Sequence, residues 1–210
     1  MPEPRSRKDA ARNRAAVLAA ADALFTDHAS AEDATMADVA AAAGVGKGTV
    51  FRAFGDRTGL IRALFQARQE PVRRAVEEGP PPLGPATAPL RRIPALLDAL
   101  LCFKLDNRHL ALALEDSGSP YRAEHYERWH TLLRGLLDQV PDLEDSGFTA
   151  HALLAAVRAD LVEYLAGHEH VPREQMRARL AGLTARILGT DQVLEAAAGD
   201  PSGAAADPPR

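Results

Sequence analysis

The chain has 210 residues, of which 46% are hydrophobic and only 5% aromatic, and its formal net charge is −4. Alanine, which favours helices, supplies much of the apolar content, whereas the β-branched residues that favour strands are scarce. The composition therefore predicts an all-α protein. The single cysteine, Cys102, excludes an internal disulfide and a multi-cysteine metal site. The sequence shows neither a signal peptide nor an apolar run long enough to cross a membrane, so we expect a cytoplasmic protein.

The charge is unevenly distributed along the chain. Residues 1–78 carry 12 Lys and Arg against 11 Asp and Glu, so the acidic excess lies in the remainder of the chain. Within residues 1–14, five side chains are basic and two are acidic. A basic N-terminal arm on an acidic body remains compatible with a protein that binds DNA.

The first part of the chain contains four segments with helical signals. We expect the first helix to begin at Ser6, which has capping-box spacing to an acidic residue. Thr35 and Asp38 repeat that spacing at the start of a second helix over residues 36–43. Gly44 suits the left-handed conformation that commonly ends a helix.

A third short helix is predicted over residues 47–53, and Asp56 is expected to cap a fourth one. Five prolines and two glycines within residues 79–89 exclude a regular helix and predict a loop at a domain boundary. The predicted domains are a DNA-binding domain (residues 1–55), a connecting helix (56–78) and a loop (79–89). An effector-binding and dimerisation domain (90–189) and a disordered tail (190–210) follow.

Beyond the loop the helical pattern resumes in five further segments. We predict helices over residues 90–104, 107–116, 122–140 and 148–167, and a last helix that opens with Pro172. The segment 148–167 is apolar almost all round, which predicts burial on more than one side.

The stretch AAAAGVGKGTVFRAFGDR, residues 40–57, is rich in glycine and resembles a phosphate-binding loop. A P-loop needs a glycine five residues before Gly46 and a hydroxyl residue after Lys47, and the residues present are Ala41 and Gly48. An alanine-rich helix rather than a strand precedes the stretch. The sequence therefore argues against a nucleotide site.

A helix-turn-helix explains the same stretch better. Two short helices cross around a turn that contains glycine, and the second helix lies in the major groove of DNA. Small apolar side chains between the two helices are expected at Val39, Ala43, Val45 and Val50. A small buried helical hairpin would explain the glycine equally well, but it would leave the cluster of Lys47, Thr49 and Arg52 without a purpose.

Residues 34–65, ATMADVAAAAGVGKGTVFRAFGDRTGLIRALF, resemble the DNA-binding domain of the TetR/AcrR family of bacterial transcriptional regulators. The resemblance extends over about residues 10–75. It implies a regulator, most often a repressor, that binds a palindromic operator in double-stranded DNA as a homodimer and is released by a small-molecule effector. It also implies an all-helical C-terminal domain that dimerises through its last two helices.

The resemblance assigns DNA contacts to positions around the second and third helices. Phe51 occupies a slot that usually holds a tyrosine, so the hydroxyl contact with phosphate is lost. Arg52 and Arg57 are permanent cations that suit a guanine edge or a phosphate. The full predicted set is Thr35, Lys47, Gly48, Thr49, Phe51, Arg52 and Arg57.

For the C-terminal domain the resemblance implies an effector pocket and a dimer seam. The predicted pocket has apolar walls at Leu100, Phe103, Tyr126, Trp129, Leu133 and Leu154 and polar contacts at His109, His130 and Arg158. The alternative is that the aromatic stripe fills a core. Arg158 interrupts an apolar helix, so we expect it to pair with Glu115 or Asp160, to pair across a dimer, or to bind the effector. The predicted dimer contacts are Leu161, Leu165, Leu180, Leu183 and Ile187.

The residue pattern gives little support to a metal site or to a catalytic nucleophile. No pair of the seven histidines has the spacing of a helical zinc site, and no nucleophile is accompanied by a matched base. We therefore predict no catalysis, no cofactor, no metal and no membrane association. The alternative to a regulator is an all-α dimeric ligand-binding or interaction protein without sequence-specific DNA binding.

Overall fold

A computed structural model of the chain describes residues 4–26, 34–115 and 124–190. Every regular element within these ranges is helical, which confirms the predicted all-α fold. None of the described helices is long and apolar enough to span a membrane. The helices are α1 (Pro4–Thr26), α2 (Met36–Ala42), α3 (Lys47–Phe54), α4 (Arg57–Glu78), α5 (Pro89–Asp106), α6 (Arg108–Glu115), α7 (Glu124–Leu137), α8 (Ser146–Ala155), α9 (Ala159–Glu163) and α10 (Arg173–Ile187).

The first three helices and the beginning of α4 form a small N-terminal unit, which we call the head. Its centre consists of apolar side chains that are between 0% and 2% exposed: Val17, Ala21, Phe25, Val39, Val50 and Leu60. Several of these side chains are small, so α1, α2 and α3 approach one another closely. The core therefore fixes the position of α3 with few large residues.

The predicted start of the first helix is wrong by two residues. α1 begins at Pro4, so Ser6 lies inside the helix rather than at its cap. Proline is well suited to a first helical turn, because its fixed backbone angle is helical and the amide hydrogen that it lacks has no partner there. The same effect starts α5 at Pro89.

The predicted single helix over residues 148–167 is also wrong. α8 ends at Ala155, and α9 begins only after Arg158, whose backbone is extended with ψ of 147°. In a continuous helix the guanidinium of Arg158 would lie on an apolar face, where a charge is costly. The carboxylate of Asp160 instead accepts hydrogen bonds from Arg158 and from the backbone N–H of Leu161, and these bonds replace helical ones.

The remaining helices form the C-terminal body around a second apolar cluster. Leu97, Leu133, Leu137 and Leu153 lie at its centre and are fully buried. Ion pairs fasten the helices at the surface of this cluster. Arg177 on α10 binds Asp98 on α5 through two hydrogen bonds of 2.7 and 2.9 Å.

Helix α4 belongs to both units and joins the head to the body. Its Arg68 donates from Nε to Asp22 on α1 at 2.5 Å and from Nη1 to Asn107 at 2.8 Å. Asn107 is 6% exposed and lies at the junction of α5 and α6, where its amide nitrogen also donates to the carbonyl oxygen of Phe103. One arginine therefore contacts the head on one side and the body on the other.

Candidate DNA-binding surface and effector domain

The helix-turn-helix begins at a complete capping box. The Thr35 hydroxyl accepts from the backbone N–H of Asp38 at 3.2 Å, and the Asp38 carboxylate accepts from the backbone N–H of Thr35 at 2.9 Å. These bonds confirm the predicted cap. The hydrogen bond from the Thr35 side chain lowers the pKa of Asp38 below its ordinary value. The Thr35 hydroxyl also donates to the Asp38 carboxylate at 2.7 Å, so the cap engages both donors of Thr35 and places a negative charge beside them.

The turn between α2 and α3 depends on two glycines. Gly44 has a φ of 65°, the left-handed conformation that a side chain disfavours, as the sequence predicts. Gly46 is the N-terminal cap residue of α3 and offers no side-chain hydrogen bond. The first N–H groups of α3 are therefore left without a capping side chain, and an external anion suits such groups.

Helix α3 has one buried and one exposed face. Val50 and Phe54 are 0% and 9% exposed and attach the helix to the head. Lys47, Gly48 and Arg52 are exposed. The structure thus leaves these three predicted contact residues accessible to a partner.

The aromatic slot at Phe51 also lies on that surface. Phe51 is 42% exposed, and the Lys47 ammonium lies 5.8 Å from the centre of its ring. A phenyl ring that is so exposed contributes little to the fold of one chain. It is placed to contact apolar groups of a partner, such as a thymine methyl group.

Thr49 and Arg57 lie at the border of the surface, and both are partly exposed. The Arg57 guanidinium lies 5.5 Å from the centre of the Phe25 ring, at the first residue of α4. Asp56 caps α4 by accepting from the N–H of Gly59 at 2.7 Å, as predicted. Arg57 thus combines a side-chain cation with the positive end of a helix dipole.

Arg14, which the sequence assigns only to a basic arm, contacts α3 in the structure. Arg14 on α1 donates to the backbone carbonyl of Ala53 at 3.3 Å, and its guanidinium lies 4.6 Å from the centre of the Phe54 ring. Arg14 therefore supports the C-terminal end of α3. Only the helical spacing of Arg14 relative to the apolar stripe of α1 could have indicated this contact.

The predicted effector residues differ in their surroundings within the described part of the body. Leu100, Trp129, Leu133 and Leu154 are between 0% and 5% exposed and pack in the body cluster. Phe103 instead packs against Phe65 of α4, with 5.0 Å between the ring centres. His109 is partly exposed on α6.

Tyr126 and His130 both contact His151 on α8. The Tyr126 hydroxyl and Nδ1 of His151 share a hydrogen bond of 2.5 Å, and the rings of His130 and His151 stack with their centres 3.9 Å apart. Nε2 of His130 donates to the backbone carbonyl of Gly147 at 3.2 Å. Burial, and then the proximity of His130, lowers the pKa of His151. The sequence placed Tyr126 and His130 on one face but gave no signal for His151 as their partner.

Arg158 pairs with Asp160, which is one of the predicted alternatives. Its Nη2 and Nε donate to the Asp160 carboxylate at 2.7 and 3.1 Å, and this pairing lowers the pKa of Asp160. The side chain of Arg158 is 22% exposed. The charge is thus compensated within the chain.

The five-residue turn Tyr164–His168 that follows α9 is a π-helix, and it accommodates an ion pair. Arg108 on α6 donates from Nε and Nη2 to both oxygens of Glu163 at 2.6 Å. A Cβ atom on Gly167 would lie 2.2 Å from Glu163 Oε1 and 2.6 Å from Arg108 Nη2. Glycine at this position therefore leaves room for the pair.

The predicted dimer residues differ in how much of their surface is free. Leu161 is 39% exposed, whereas Leu180 is 7% exposed and packs within the body of one chain. Leu165, Leu183 and Ile187 are partly buried. Two aromatic side chains that the prediction omitted, Phe148 and Tyr164, are 70% and 51% exposed on the same stretch of α8 to the π-helical turn. Large exposed side chains on an apolar helix are the signal that identifies them.

Within the three described ranges, no group of three or more His, Cys, Asp or Glu side chains is arranged to hold a metal ion. A short helix that exposes lysine and arginine, attached through a glycine turn to a capped helix, is the arrangement of a helix-turn-helix DNA-binding domain. The body adds helices that are separate from this domain. The fold is thus that of a helix-turn-helix domain attached to a helical body.

Comparison with known proteins shows what the N-terminal domain is similar to. Residues 17–64 match the family described as "Bacterial regulatory proteins, tetR family". The HTH-type transcriptional repressor LfrR of Mycolicibacterium smegmatis is 43% identical over 82 residues, which are 39% of this chain and 42% of LfrR. The match therefore spans less than half of that relative. The N-terminal domain is therefore similar to that of the TetR family of transcriptional regulators, in agreement with the resemblance of the sequence.

Similarity over a longer part of the chain is weaker. The HTH-type transcriptional regulator SAB2452 of Staphylococcus aureus is 25% identical over 180 residues, covering 84% of this chain and 95% of that protein. A TetR-family regulator structure from Rhodococcus sp. has a TM-score of 0.62 at 21% identity and covers 85% of this chain and 99% of its own. NalD of Pseudomonas aeruginosa, a secondary repressor of the MexAB-OprM multidrug efflux pump, has a TM-score of 0.54 at 19% identity, with 85% and 96% covered. These structures support the fold of both the head and the body.

Proposed function

We propose that this protein is a repressor that binds a palindromic operator in double-stranded DNA as a homodimer and leaves it when a small-molecule effector binds the body. The observation that carries the proposal is the exposed face of α3. Lys47, Gly48 and Arg52 are exposed, while Val50 and Phe54 are buried and attach α3 to the head. No requirement of the fold explains a cationic free face on so short a helix.

The DNA contacts that we propose divide into two kinds. Lys47, Thr49 and Arg52 on α3 are assigned to base edges, with the Phe51 ring beside them. Thr35 and Arg57 stand at the first turns of α2 and α4, where helix N-termini favour phosphate. Gly48, where a Cβ atom would meet nothing within 4 Å, leaves room for a close approach of the DNA backbone. Base contacts give specificity, whereas phosphate contacts fix the position of the protein.

The homodimer is proposed from the apolar surface of the body. Phe148, Leu161 and Tyr164 expose large side chains on α8, α9 and the π-helical turn. Such a patch is unusual on a monomer and typical of a protein interface. A two-fold dimer built on this surface would place two α3 helices in successive major grooves, about 34–36 Å apart or a multiple of that distance.

The experiment is a selection of bound duplexes from a random DNA library by the purified full chain. We expect enrichment of an inverted repeat, because two identical heads related by a two-fold axis read the same half-site twice. Enrichment of a single half-site without its repeat would contradict the dimer. A library that emerges without any enriched motif would favour the alternative, an all-α ligand-binding or interaction protein that does not read DNA.

A further inference from the structure

A cavity of about 630 Å³ lies at the C-terminal end of α4, the end remote from α3. Its walls come from α4, from the proline-rich loop before α5, from the first turn of α5 and from α7. Sites for small molecules commonly have volumes of about 300–1,000 Å³. Of the residues predicted to bind the effector, Trp129 is the one that lines this cavity.

Arg92 forms the buried wall of the cavity and is only 8% exposed. Its Nε donates to the carbonyl of Leu83 at 2.7 Å and its Nη2 donates to the carbonyl of Val76 at 2.6 Å. The Val76 carbonyl needs such a donor, because the residue one helical turn later is Pro80, which has no N–H. Arg92 thus closes the end of α4 and fastens the loop to it.

This structural role leaves part of the guanidinium unused. The third nitrogen, Nη1, makes no hydrogen bond with any described residue, and no described carboxylate lies within ion-pair distance of Arg92. The negative end of the α4 dipole offsets part of the charge. A nearly buried cation with a spare donor nevertheless favours an anion beside it.

The other walls suit an apolar molecule. Val76, Pro85 and Leu132 line the cavity together with the Trp129 ring. The Trp129 indole N–H is buried and, within the described protein, has no acceptor. We propose that the cavity binds an amphipathic monocarboxylate whose carboxylate pairs with Arg92 and whose apolar body lies against these side chains.

Two acidic residues also line the cavity and oppose the binding of an anionic ligand. Glu77 binds Arg73 at 2.6 Å and Arg128 at 3.4 Å, so its charge is compensated. Glu127 is exposed and, among the described residues, forms no ion pair. Glu127 therefore repels an anion at the mouth of the cavity, and its removal is expected to strengthen binding of a carboxylate.

The role of the cavity as an effector site rests on the proposed function. Binding of a monocarboxylate to the cavity does not depend on that function. Its walls include the last turn of α4, and the first turn of α4 follows α3 directly. An anion at Arg92 competes with the carbonyls of Val76 and Leu83 for the same guanidinium. Occupancy would therefore act on the helix that carries the head, provided that the ligand prefers one of its positions.

The test uses Trp129, the only tryptophan of the chain, as a fluorescent reporter in the full-length protein. The probes are decanoate, decan-1-ol and decylammonium, all below their micellar concentrations. We expect saturable binding of decanoate that is at least about tenfold tighter than binding of the alcohol or the amine, because a hydrogen bond to a charged partner is worth that much. Glu127→Gln should tighten decanoate binding by about two- to fivefold.

Variants then locate the site. Arg92→Met should weaken decanoate at least about tenfold. Because this variant also removes two hydrogen bonds of the fold, Thr131→Phe provides a second test: Thr131 is exposed, lines the cavity, and a phenyl ring there would fill it. Arg134→Phe, an exposed change on the same helix away from the cavity, serves as the control and should leave binding unchanged.

Three results would overturn the proposal. Equal binding of decanoate and decan-1-ol would show that Arg92 does not select an anion. Preference for decylammonium would show that the glutamates dominate the cavity. Decanoate binding that survives Thr131→Phe would place the site elsewhere. Release of a selected operator duplex is measured separately, so that decanoate bound without release upholds the site and contradicts only its role as the effector site.

Discussion

In the head the predicted signals are of short range, whereas in the body the contacts that join the helices are of long range. Thr35 and Asp38 cap α2 across three residues, and Gly44 follows it in a left-handed conformation. In the body, the ion pairs join remote residues, such as Arg108 with Glu163, 55 positions apart, and Arg177 with Asp98, 79 positions apart. The difference teaches that a helix-turn-helix can be recognised from a few adjacent residues, whereas the contacts within a helical body cannot.

The largest expected effect comes from charging the free face of the body. Leu161→Glu should convert dimers to monomers and reduce operator affinity by orders of magnitude, because a single head makes half of the DNA contacts. Leu161 is 39% exposed, so the change spares the core of one chain. Sedimentation and operator titration of the same sample measure both effects. Leu90→Glu, at a residue of similar exposure on α5, should change neither, and a Leu161→Glu variant that remains dimeric would place the interface elsewhere.

The next effect contrasts a buried body residue with the exposed aromatic of the head. Leu133→Ala should reduce the free energy of unfolding by about 2–5 kcal/mol, because Leu133 is 0% exposed and its loss leaves a cavity. Phe51→Ala, at a ring that is 42% exposed, should change stability by less than about 0.5 kcal/mol yet weaken operator binding. Denaturant unfolding and operator titration check the pair. Equal losses of stability would show that Phe51 belongs to the fold and not to the DNA surface.

A smaller effect probes the local signals of the head. Thr35→Ala should cost about 1 kcal/mol of unfolding free energy, because the N–H of Asp38 loses its capping acceptor. Thr35→Ser retains the hydroxyl, so its free energy of unfolding, measured by chemical denaturation, should be close to that of the parent. If alanine and serine have the same effect, the capping box does not stabilise α2.

The smallest effect concerns pH. The pKa of His151 is lowered in the folded chain, so the unfolded chain binds a proton more readily. Stability is therefore retained above the ordinary histidine pKa of about 6.5 and decreases as the pH falls through that value toward the lower folded pKa. Melting temperatures of the parent and of His151→Phe between pH 8 and pH 5 measure this. A parent that loses no more stability than the variant over this interval would contradict the assignment.

The range of the contacts also explains how much the sequence predicted. The helix-turn-helix was predicted almost residue by residue, since each of its signals is complete within a few positions. The predicted helix over residues 148–167 was wrong because Arg158 leaves the apolar face through a local bond to Asp160, a competitor that periodicity does not register. The start at Ser6 was wrong because α1 begins at Pro4, whose fixed backbone angle suits a first helical turn.

The effector site was the least predictable part. An apolar stripe on a helix looks the same whether it fills a core or lines a cavity, and Leu100 and Leu133 are core residues. The sequence gives no direct signal for Arg92, because the partners of its guanidinium are backbone carbonyls, which no residue pattern displays. The signal that could have indicated it is Pro80, which deprives a helical carbonyl of its usual donor.

The most direct test of the account is a comparison of two arginine variants on a selected operator and on a scrambled duplex over a range of salt concentrations. Arg52→Ala should lose about 1–3 kcal/mol on the operator alone, so that its preference over the scrambled duplex falls. Arg57→Ala should weaken binding to both duplexes alike. It should also reduce the slope of the logarithm of the binding constant against the logarithm of the salt concentration by about one. If Arg52→Ala weakens both duplexes equally, or if the parent protein does not distinguish them, then α3 does not read DNA sequence.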